Sequence, residues 1–194
     1  MTGPRNQSSS GDADSAPMVV GVLSDTHGHL YPEVRESLEG VDHLIHAGDI
    51  GSPEVLVGLR SLASLTAVRG NCDFESWARQ LPVVAEVEFA GARMLVGHIA
   101  SRLRDRVSRV GLAGPAAAPG RTFDVVITGH THRAEIRREE GVLYVNPGSA
   151  GPQRFGRART VARLQISPPD GDRPQNIAAE IVAIPERSRT ISAE

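Results

Sequence analysis

Side chains able to bind a metal ion recur along this chain, and each follows an apolar segment with the pattern of a strand. Asp25 and His27 come first, directly after the β-branched run from Met18 to Leu23. Residues two apart in an extended chain point to the same side, so this pair is placed to form half of a metal site. In open α/β sheets, ligands collect at the carboxyl ends of the strands, which is where the pair lies.

Later apolar segments end in further candidate ligands, and the complete set has seven members. The others are Asp49, Asn71, His98, His130 and His132. Four imidazoles, two carboxylates and one amide oxygen suit Mn, Fe, Zn, Co or Ni better than calcium or a thiolate-bound ion. Seven ligands are too many for one ion with an open position and suit two ions that share a bridge. Two divalent ions with two carboxylates keep an excess of about two positive charges, which attracts phosphate and favours hydroxide in the bridge.

Most of these motifs also have an ordinary structural interpretation. An Asp-x-His sequence after a strand is typical of a capped turn with a surface histidine, and Gly-Asp and Gly-Asn are common turn dipeptides. A histidine such as His98 after an apolar run is more often packed or hydrogen-bonded. His130 and His132 form the most specific motif, because two histidines two apart after a buried strand are a natural chelate. The occurrence of all seven groups at strand ends favours a metal centre.

The segments between the motifs predict how they are positioned. Two further strands are predicted at Val41–Ala47 and Leu65–Arg69, and helices at Tyr31–Glu39 and Pro53–Leu62. Each helix has a proline near its start, where a missing N–H is harmless. This βαβαβ order favours parallel strands with right-handed crossovers.

The pattern changes in the second half, where hairpins replace strand–helix alternation. The predicted elements are strands at Val83–Phe89 and Arg93–Val96, an arginine-rich helix at Ser101–Leu112, a loop at Gly114–Gly120, a strand at Phe123–Thr128, a hairpin at Glu135–Val145, strands at Thr160–Ile166 and Asn176–Ala183, and a polar loop between them at Pro168–Pro174. The predicted fold class is α/β, a four-layer α/β/β/α sandwich of two facing mixed sheets.

Composition limits the function classes. The 194 residues suit one domain, and a formal net charge of −2 gives no basic nucleic-acid footprint. The single cysteine, Cys72, excludes an intramolecular disulfide and suits a reducing compartment, so a cytoplasmic location is predicted. No apolar run approaches the roughly 20 residues that span a bilayer, and none resembles a signal peptide. Residues 1–17 are polar and are predicted to be a disordered tail, with the domain at 18–194.

Taken together, the motifs resemble those of the calcineurin-like metallophosphoesterases, in the same order. They are Asp25-Thr26-His27, Gly48-Asp49, Gly70-Asn71-Cys72-Asp73, Gly97-His98 and Gly129-His130-Thr131-His132. The resemblance runs from Met18 to about Gly151. The Gly-Asn-Cys-Asp sequence and the later Asn146-Pro147-Gly148-Ser149 sequence are similar to the small bacterial and archaeal phosphodiesterase branch, which has a compact four-layer sandwich.

The resemblance implies hydrolysis of a small phosphodiester by a hydroxide that bridges two divalent ions, with Mn the first choice and Fe, Zn, Ni, Co or Mg as alternatives. Its implied ligands are Asp25, His27 and His132 for one ion, Asn71, His98 and His130 for the other, and Asp49 as the bridge. Asn71 could also donate an N–H to a phosphate oxygen. We therefore place Asn71, Cys72 and His98 among the catalytic residues, and Asn71 and Arg154 among the substrate-binding ones.

Two positions depart from the family pattern. Cys72 stands where many relatives have a histidine to which protonation of the leaving group is attributed. This change puts hydrolysis of monoesters with poor leaving groups in doubt, and the alternative role for Cys72 is a small buried hydrophobe. After His98, the sequence Ile99-Ala100 replaces the small polar residues of relatives, which changes the wall of the substrate site.

Other polar and aromatic residues receive more modest predictions. Asp73 either orients a ligand histidine or is a turn carboxylate, and Arg157 belongs to a solvated loop, whereas Arg154 could bind a phosphate. Trp77 and Phe74 are expected to serve packing and not to form a base-stacking platform. The remaining histidines are expected to be structural or exposed; they are His29, His43 and His46.

Two alternative functions stay open at this point. One is a scaffold, because the family includes a retromer subunit that serves as a protein-binding platform. The other is a phosphomonoesterase or nucleotide phosphatase that uses the same centre. The sequence does not fix the oligomeric state, although a small sandwich with exposed hairpin edges is compatible with a homo-oligomer.

Overall fold

The computed structural model describes residues 16–104, 123–154, 156–169 and 175–185. Within these residues the chain forms ten strands and two α-helices. In chain order they are β1 (Met18–Leu23), α1 (Pro32–Ser37), β2 (His43–His46), α2 (Pro53–Arg60), β3 (Ser64–Ala67), β4 (Val84–Phe89), β5 (Ala92–Gly97), β6 (Val125–Ile127), β7 (Ala134–Glu139), β8 (Val142–Pro147), β9 (Thr160–Ser167) and β10 (Asn176–Ala183).

Some predictions fall on residues outside these ranges. They are most of the tail, the predicted helix beyond Arg104, the loop at Gly114–Gly120 and most of the loop between the last two strands. At the start of the predicted helix, the described residues form a short 3-10 turn at Ala100–Arg102.

The strands form two five-stranded sheets, and both are mixed. The first sheet has the order β10-β9-β1-β2-β3, and the second has the order β4-β5-β6-β8-β7. In the first sheet β1, β2 and β3 run parallel, while β9 and β10 are antiparallel to their neighbours. In the second sheet β5, β6 and β8 run parallel between two antiparallel edge strands. The predicted α/β class with two mixed sheets is therefore confirmed.

The main core lies between the two sheets, as the alternation in β1 illustrates. Val20 and Val22 belong to this core, whereas Leu23 faces the helices on the other side of the sheet. Gly21 allows close packing on that sheet face, because a Cβ there would lie 2.8 Å from Leu38 after α1 and 2.9 Å from Leu44 on β2. This packing holds β1 in place, and with it the loop that begins at its carboxyl end.

Two strands, one in each sheet, begin two residues later than predicted, and for the same reason. The Asp42 carboxylate accepts a hydrogen bond from the backbone N–H of Val19 at 2.7 Å, and β2 begins only after it. The Asp124 carboxylate accepts from the N–H of Arg93 at 2.7 Å, and β6 begins only after it. A side chain thus takes the place of one ladder bond at the entrance of each strand.

A 3-10 helix at Ser76–Gln80 was not predicted, since it is only five residues long. It follows the Gly-Asn-Cys-Asp motif and packs Trp77 toward the helices of the first sheet. Among the described residues, no helix is long and apolar enough to cross a membrane.

Candidate metal centre

The loops that follow β1 and β2 run side by side, which fixes the first three candidate ligands in register. The backbone N–H of Asp25 donates to the carbonyl of Gly48 at 3.0 Å, and that of His27 donates to the carbonyl of Asp49 at 3.0 Å. Parallel pairing therefore continues beyond the ends of the two strands, and the three side chains keep fixed relative positions.

The loops that follow β5 and β6 are joined in a similar way and reach across to the first sheet. The N–H of Gly129 donates to the carbonyl of His98 at 3.0 Å. The N–H of His130 donates to Oδ2 of Asp25 at 3.0 Å, which links the two sheets directly at the site.

Six of the seven predicted ligands converge in two groups of three. Within each group the potential ligand atoms all lie within 4.8 Å of one another. The groups are Asp25, His27 and His132, and Asp49, His98 and His130. Asp49 also lies within 4.8 Å of His27 and Cys72, so its carboxylate is between the two groups. Asp49 therefore has a potential ligand atom close to members of both groups.

Asn71, the seventh predicted ligand, is exposed and lies at the edge of the centre. Its side-chain amide donates to Sγ of Cys72 at 3.4 Å. The backbone N–H of Cys72 in turn donates to Oδ1 of Asp49 at 2.8 Å, which attaches this loop to the centre. Asn71 also lines a small hollow together with His98, so it lies beside the second group.

Two buried polar atoms face the centre without a hydrogen-bond partner, Oδ1 of Asp25 and Nε2 of His98. They lie 3.9 Å apart. His98 donates from Nδ1 to the carbonyl of Ala47 at 2.8 Å, so in the neutral ring Nε2 carries a lone pair. That lone pair faces Oδ2 of Asp49 at 3.3 Å. Two acceptors and a carboxylate directed at one point require a cation between them, so these residues fit a metal site.

The backbone at the candidate ligands is strained. Five of the seven have a left-handed φ, between 46° and 70°, which is rare for residues other than glycine. They are Asp25, His27, Asp49, His130 and His132. Strain of this kind is typical of functional sites, where surrounding hydrogen bonds hold residues in sparsely populated conformations.

The pKa values of the chain without metal show how the charges are arranged. Burial by itself would raise the pKa of Asp49, but the neighbouring His98 imidazole and a hydrogen bond from the N–H of Cys72 lower it well below its usual range. Burial would lower the pKa of His98, but Asp49 and Asp25 outweigh it and raise the pKa. The carboxylates of Asp49 and Asp25 therefore concentrate negative charge beside His98, which a bound cation would neutralise.

Comparison with known proteins identifies the family. The sequence profile of the calcineurin-like phosphoesterase superfamily domain matches residues 18–168. The chain belongs to this superfamily. A probable metallophosphoesterase of Methanocaldococcus jannaschii is 33% identical over 137 residues, which cover 68% of this chain and 68% of that protein. A phosphodiesterase of the same organism is 30% identical over 150 residues, covering 68% of this chain and 83% of that protein.

Solved structures share the fold of this calcineurin-like phosphoesterase. An archaeal phosphodiesterase has a TM-score of 0.62 and 27% identity, covering 85% of this chain and all of that chain. Vacuolar protein sorting protein 29 of Cryptosporidium parvum has a TM-score of 0.64 and 17% identity, covering 87% of this chain and 99% of that chain. At this lower identity the second comparison supports the fold alone.

Buried polar residues outside the ligand motifs hold the loops around the centre of this superfamily member. His46 is completely buried; its Nδ1 accepts the N–H of Gly48 at 3.2 Å, and its Nε2 lies 2.9 Å from Oγ1 of Thr26. The Thr26 hydroxyl donates to the carbonyl of Ile50, so Nε2 of His46 is the donor to Thr26. Burial lowers the pKa of His46 to about 3, so the ring is neutral, and the structural role expected for it is confirmed.

Asn146 has in the second sheet the role that His46 has in the first, because it holds the loops behind the centre. Its amide N–H₂ donates to the carbonyl of Gly129 at 2.8 Å and to Oγ1 of Thr131 at 3.1 Å. Its amide oxygen accepts the N–H of Gly148 at 3.0 Å. Sequence reasoning assigned no role to Asn146 itself. An Asn at the end of a buried strand was the signal that could have indicated this supporting role.

Asp73 is a turn carboxylate, which is one of the two roles predicted for it. It is buried and accepts three backbone N–H groups, from Ile50 at 3.1 Å, Gly51 at 2.9 Å and Gly70 at 2.8 Å. It therefore joins the loop after β2 to the loop after β3, and these bonds leave no role for it in orienting a ligand histidine.

Cys72 and Phe74 are both exposed near the mouth of the centre. Of the two roles that the sequence left open for Cys72, the buried hydrophobe is therefore excluded. Partial burial and the neighbouring Asp49 raise the pKa of its thiol to about 11. Phe74 is 75% exposed, so the packing role expected for it is wrong, whereas Trp77 packs against the helix-side core.

Arginines surround the side of the centre that His132 lines. Arg154, Arg157 and Arg159 line a small hollow next to His132. Burial is the main reason that the pKa of His27 is lowered, and Arg154 contributes to the same shift. The guanidinium of Arg154 thus acts on the centre electrostatically. Arg159 instead has a structural role, since its Nε donates to the carbonyl of Gly151 at 3.0 Å.

Proposed function

We propose that this protein is a metal-dependent phosphodiesterase that uses two divalent ions, with Mn²⁺ as the first choice. The observation that carries the proposal is the pair of three-residue groups that share Asp49, with the unpartnered Asp25 Oδ1 and His98 Nε2 between them. The activity of the archaeal relative that is named a phosphodiesterase supports it.

The two proposed metal sites follow the two groups of ligands. One consists of Asp25, His27 and His132, and the other of His98 and His130 with Asn71, which lies beside His98; Asp49 is shared. Two divalent ions held by these residues would lower the pKa of water to about 7 and so make hydroxide available as the nucleophile. Ser24 holds the carboxylate of Asp25 in place by donating to its Oδ2 at 2.6 Å.

The chain's own groups would bind the phosphate of the substrate. Arg154 supplies a positive charge at the His27 side, where a guanidinium can hold phosphate oxygens in a bidentate manner. Asn71 is exposed at the opposite loop and can donate its amide N–H to a phosphate oxygen. Both contacts orient the phosphate in the same way for diesters and monoesters, so they do not decide between these substrates.

The high pKa of the Cys72 thiol favours diesters with good leaving groups as substrates. An efficient general acid has a pKa near the working pH, and the thiol of Cys72 has a pKa of about 11. It therefore gives up its proton poorly near neutral pH. Monoesters with poor leaving groups, which need protonation most, are expected to be hydrolysed slowly.

The first test is hydrolysis of bis-p-nitrophenyl phosphate beside p-nitrophenyl phosphate. Both are assayed after chelator treatment and again after Mn²⁺ is restored. We expect diester turnover that returns only with metal and exceeds monoester turnover. Absence of turnover with every divalent ion, in protein that still binds metal, would contradict the proposal and favour a scaffold.

A variant at Cys72 tests the substrate preference. We expect Cys72→His to raise the rate for a monoester with a poor leaving group by about tenfold or more, because general acids contribute 10²–10⁴-fold. Cys72→Ser is the matched control, since a hydroxyl is no better a proton donor. An equal monoester rate in both variants would show that protonation at this position does not limit the reaction.

A scaffold on the same fold stays the alternative function. Among the described residues, the exposed large apolar side chains belong to four separate segments of the chain. They are Val57, Phe74, Val83 and Ile136. The single domain at 18–194, a cytoplasmic location and a homo-oligomer stay predictions.

A further inference from the structure

A groove of about 620 Å³ opens beside the candidate metal centre, on the outer face of the second sheet. We call it the outer groove and define it by Leu103, Val126, Glu135, Glu139 and Tyr144, with His130 at one end. Its volume falls in the range of roughly 300–1,000 Å³ that is typical of small-molecule sites. Because His130 belongs to the centre and lines the groove, a ligand can contact both at once.

The floor of the outer groove is apolar. Val126 and Leu103 are almost fully buried members of the cluster on this face of the sheet, and Tyr144 packs against them. Ala100, two residues after His98, lines the same groove. A group that enters from the centre therefore meets aliphatic and aromatic surface.

The rim of the outer groove is acidic and carries exposed ion pairs. Arg137 pairs with Glu135 at 3.5 Å and with Glu139, and its guanidinium lies 4.0 Å above the ring of Tyr144. With Glu140 and Arg104, the described lining residues carry three glutamates and two arginines, a balance of one negative charge. Such a rim repels an anionic group.

The opposite flank of the centre has the opposite charge. The hollow beside His132 has three arginines and no carboxylate among its described lining residues. The two flanks therefore select different parts of one ligand. An anionic group is favoured beside Arg154, and an uncharged apolar group is favoured beside His130.

We propose that the outer groove holds one ester substituent of the phosphodiester, and that this substituent is an uncharged aromatic or aliphatic group. The proposal rests on the proposed function, because the phosphate must lie at the metal centre for its substituent to reach the groove. It names a class of substrate: diesters of an apolar alcohol, with any further negative charge on the other side of the phosphate.

Phosphonates test this proposal without turnover, since each carries one organic group on a bond that the reaction does not cleave. Binding of methylphosphonate, phenylphosphonate and 4-carboxyphenylphosphonate to the Mn²⁺-loaded full chain is measured by calorimetry. Burial of the phenyl ring is expected to give phenylphosphonate about tenfold or more tighter binding than methylphosphonate. The added carboxylate is expected to remove most of that gain.

Variants assign these differences to the outer groove. Tyr144→Ala is expected to bring the phenyl-to-methyl affinity ratio close to one, while Tyr144→Phe keeps it. Glu135→Lys, an exposed change that keeps the floor intact, is expected to restore binding of the carboxyphenyl compound. Glu180→Lys, at an exposed glutamate of β10 in the other sheet, is the control and leaves all three affinities unchanged.

The outcomes separate this proposal from the proposed function. Equal binding of methyl- and phenylphosphonate would overturn the role of the groove and leave the metal centre intact. A preference for phenylphosphonate that Tyr144→Ala and Glu135→Lys leave unaltered would overturn it as well. Failure of every phosphonate to bind to metal-loaded protein would contradict the phosphate site itself, and both proposals would fall.

Discussion

The two sheets bring different chemistry to the same edge of the sandwich. The loops of the first sheet carry both carboxylates, Asp25 and Asp49, and the loops of the second carry three of the four histidines. The negative charge of the candidate centre thus comes from one sheet, and most of its neutral ligands come from the other. A change in the first sheet alters the charge of the site, whereas a change in the second alters its geometry.

The difference extends to the groups that support each half. In the first sheet the carboxylates are fixed by hydrogen bonds, from the Ser24 hydroxyl and the backbone N–H of His130 to Asp25 and from the backbone N–H of Cys72 to Asp49. In the second sheet a neutral amide, Asn146, holds the loop of His130 from behind. Charge and position are therefore separable by mutation.

Asp49→Ala is expected to have the largest effect, because it removes a charge that both metal groups share. We expect loss of metal and loss of diester turnover together, by more than the roughly 100-fold that outer-shell changes cost. Metal content of the purified protein and kcat/KM for bis-p-nitrophenyl phosphate measure the two effects. Glu88→Ala, at an exposed site on β4, is the control. Retained turnover in Asp49→Ala would contradict the shared role.

Asn146→Ala is expected to have an intermediate effect on metal binding, confined to the half of the centre that the second sheet supplies. It leaves the N–H of Gly148 without its partner and removes one of the two hydrogen bonds to the carbonyl of Gly129, which costs about 1–3 kcal/mol of unfolding free energy. Loss of the support behind His130 and His132 is expected to weaken metal binding by roughly 10–100-fold. Metal titration and urea unfolding measure these effects.

The matched control for this variant is Asn176→Ala, because Asn176 is exposed at the start of β10. Wild-type metal affinity in Asn146→Ala, together with lowered stability, would show that the loop keeps its geometry without this side chain. In that case the two sheets would not differ in the way proposed here.

Much of this comparison was visible in the sequence. The apolar runs and their terminal motifs predicted the parallel strands and brought six candidate ligands to one place, because strand period and the carboxyl-end rule depend on local pattern. The roles of His46 and Asn146 depend on which loops meet in space. Exposure of Phe74 and Cys72 could not be predicted for the same reason, since burial is set by partners distant in the chain.

Substitution of His46 is expected to have the smallest effect of the three. It tests the loops of the first sheet without changing a candidate ligand. Burial lowers its pKa to about 3, against 6.5 in the unfolded chain. Between these pH values the unfolded state binds more protons than the folded state, so stability falls as the pH falls through this window. One proton gives a slope of up to about 1.4 kcal/mol per pH unit.

The measurement is unfolding free energy of metal-free protein between pH 7 and pH 4, for wild type and His46→Gln. Glutamine does not titrate, so the variant is expected to be less stable at pH 7 and to lose stability less steeply on acidification. His43→Gln is the comparison, because the half-buried His43 also has a pKa lowered by burial, while its Nε2 lies 2.9 Å from Oγ1 of Thr66 and not beside the metal-centre loops. If both variants flatten the profile equally, complete burial of His46 beneath the loops of Asp25 and Asp49 does not set the acid sensitivity. Burial of either histidine would then account for the same loss of stability.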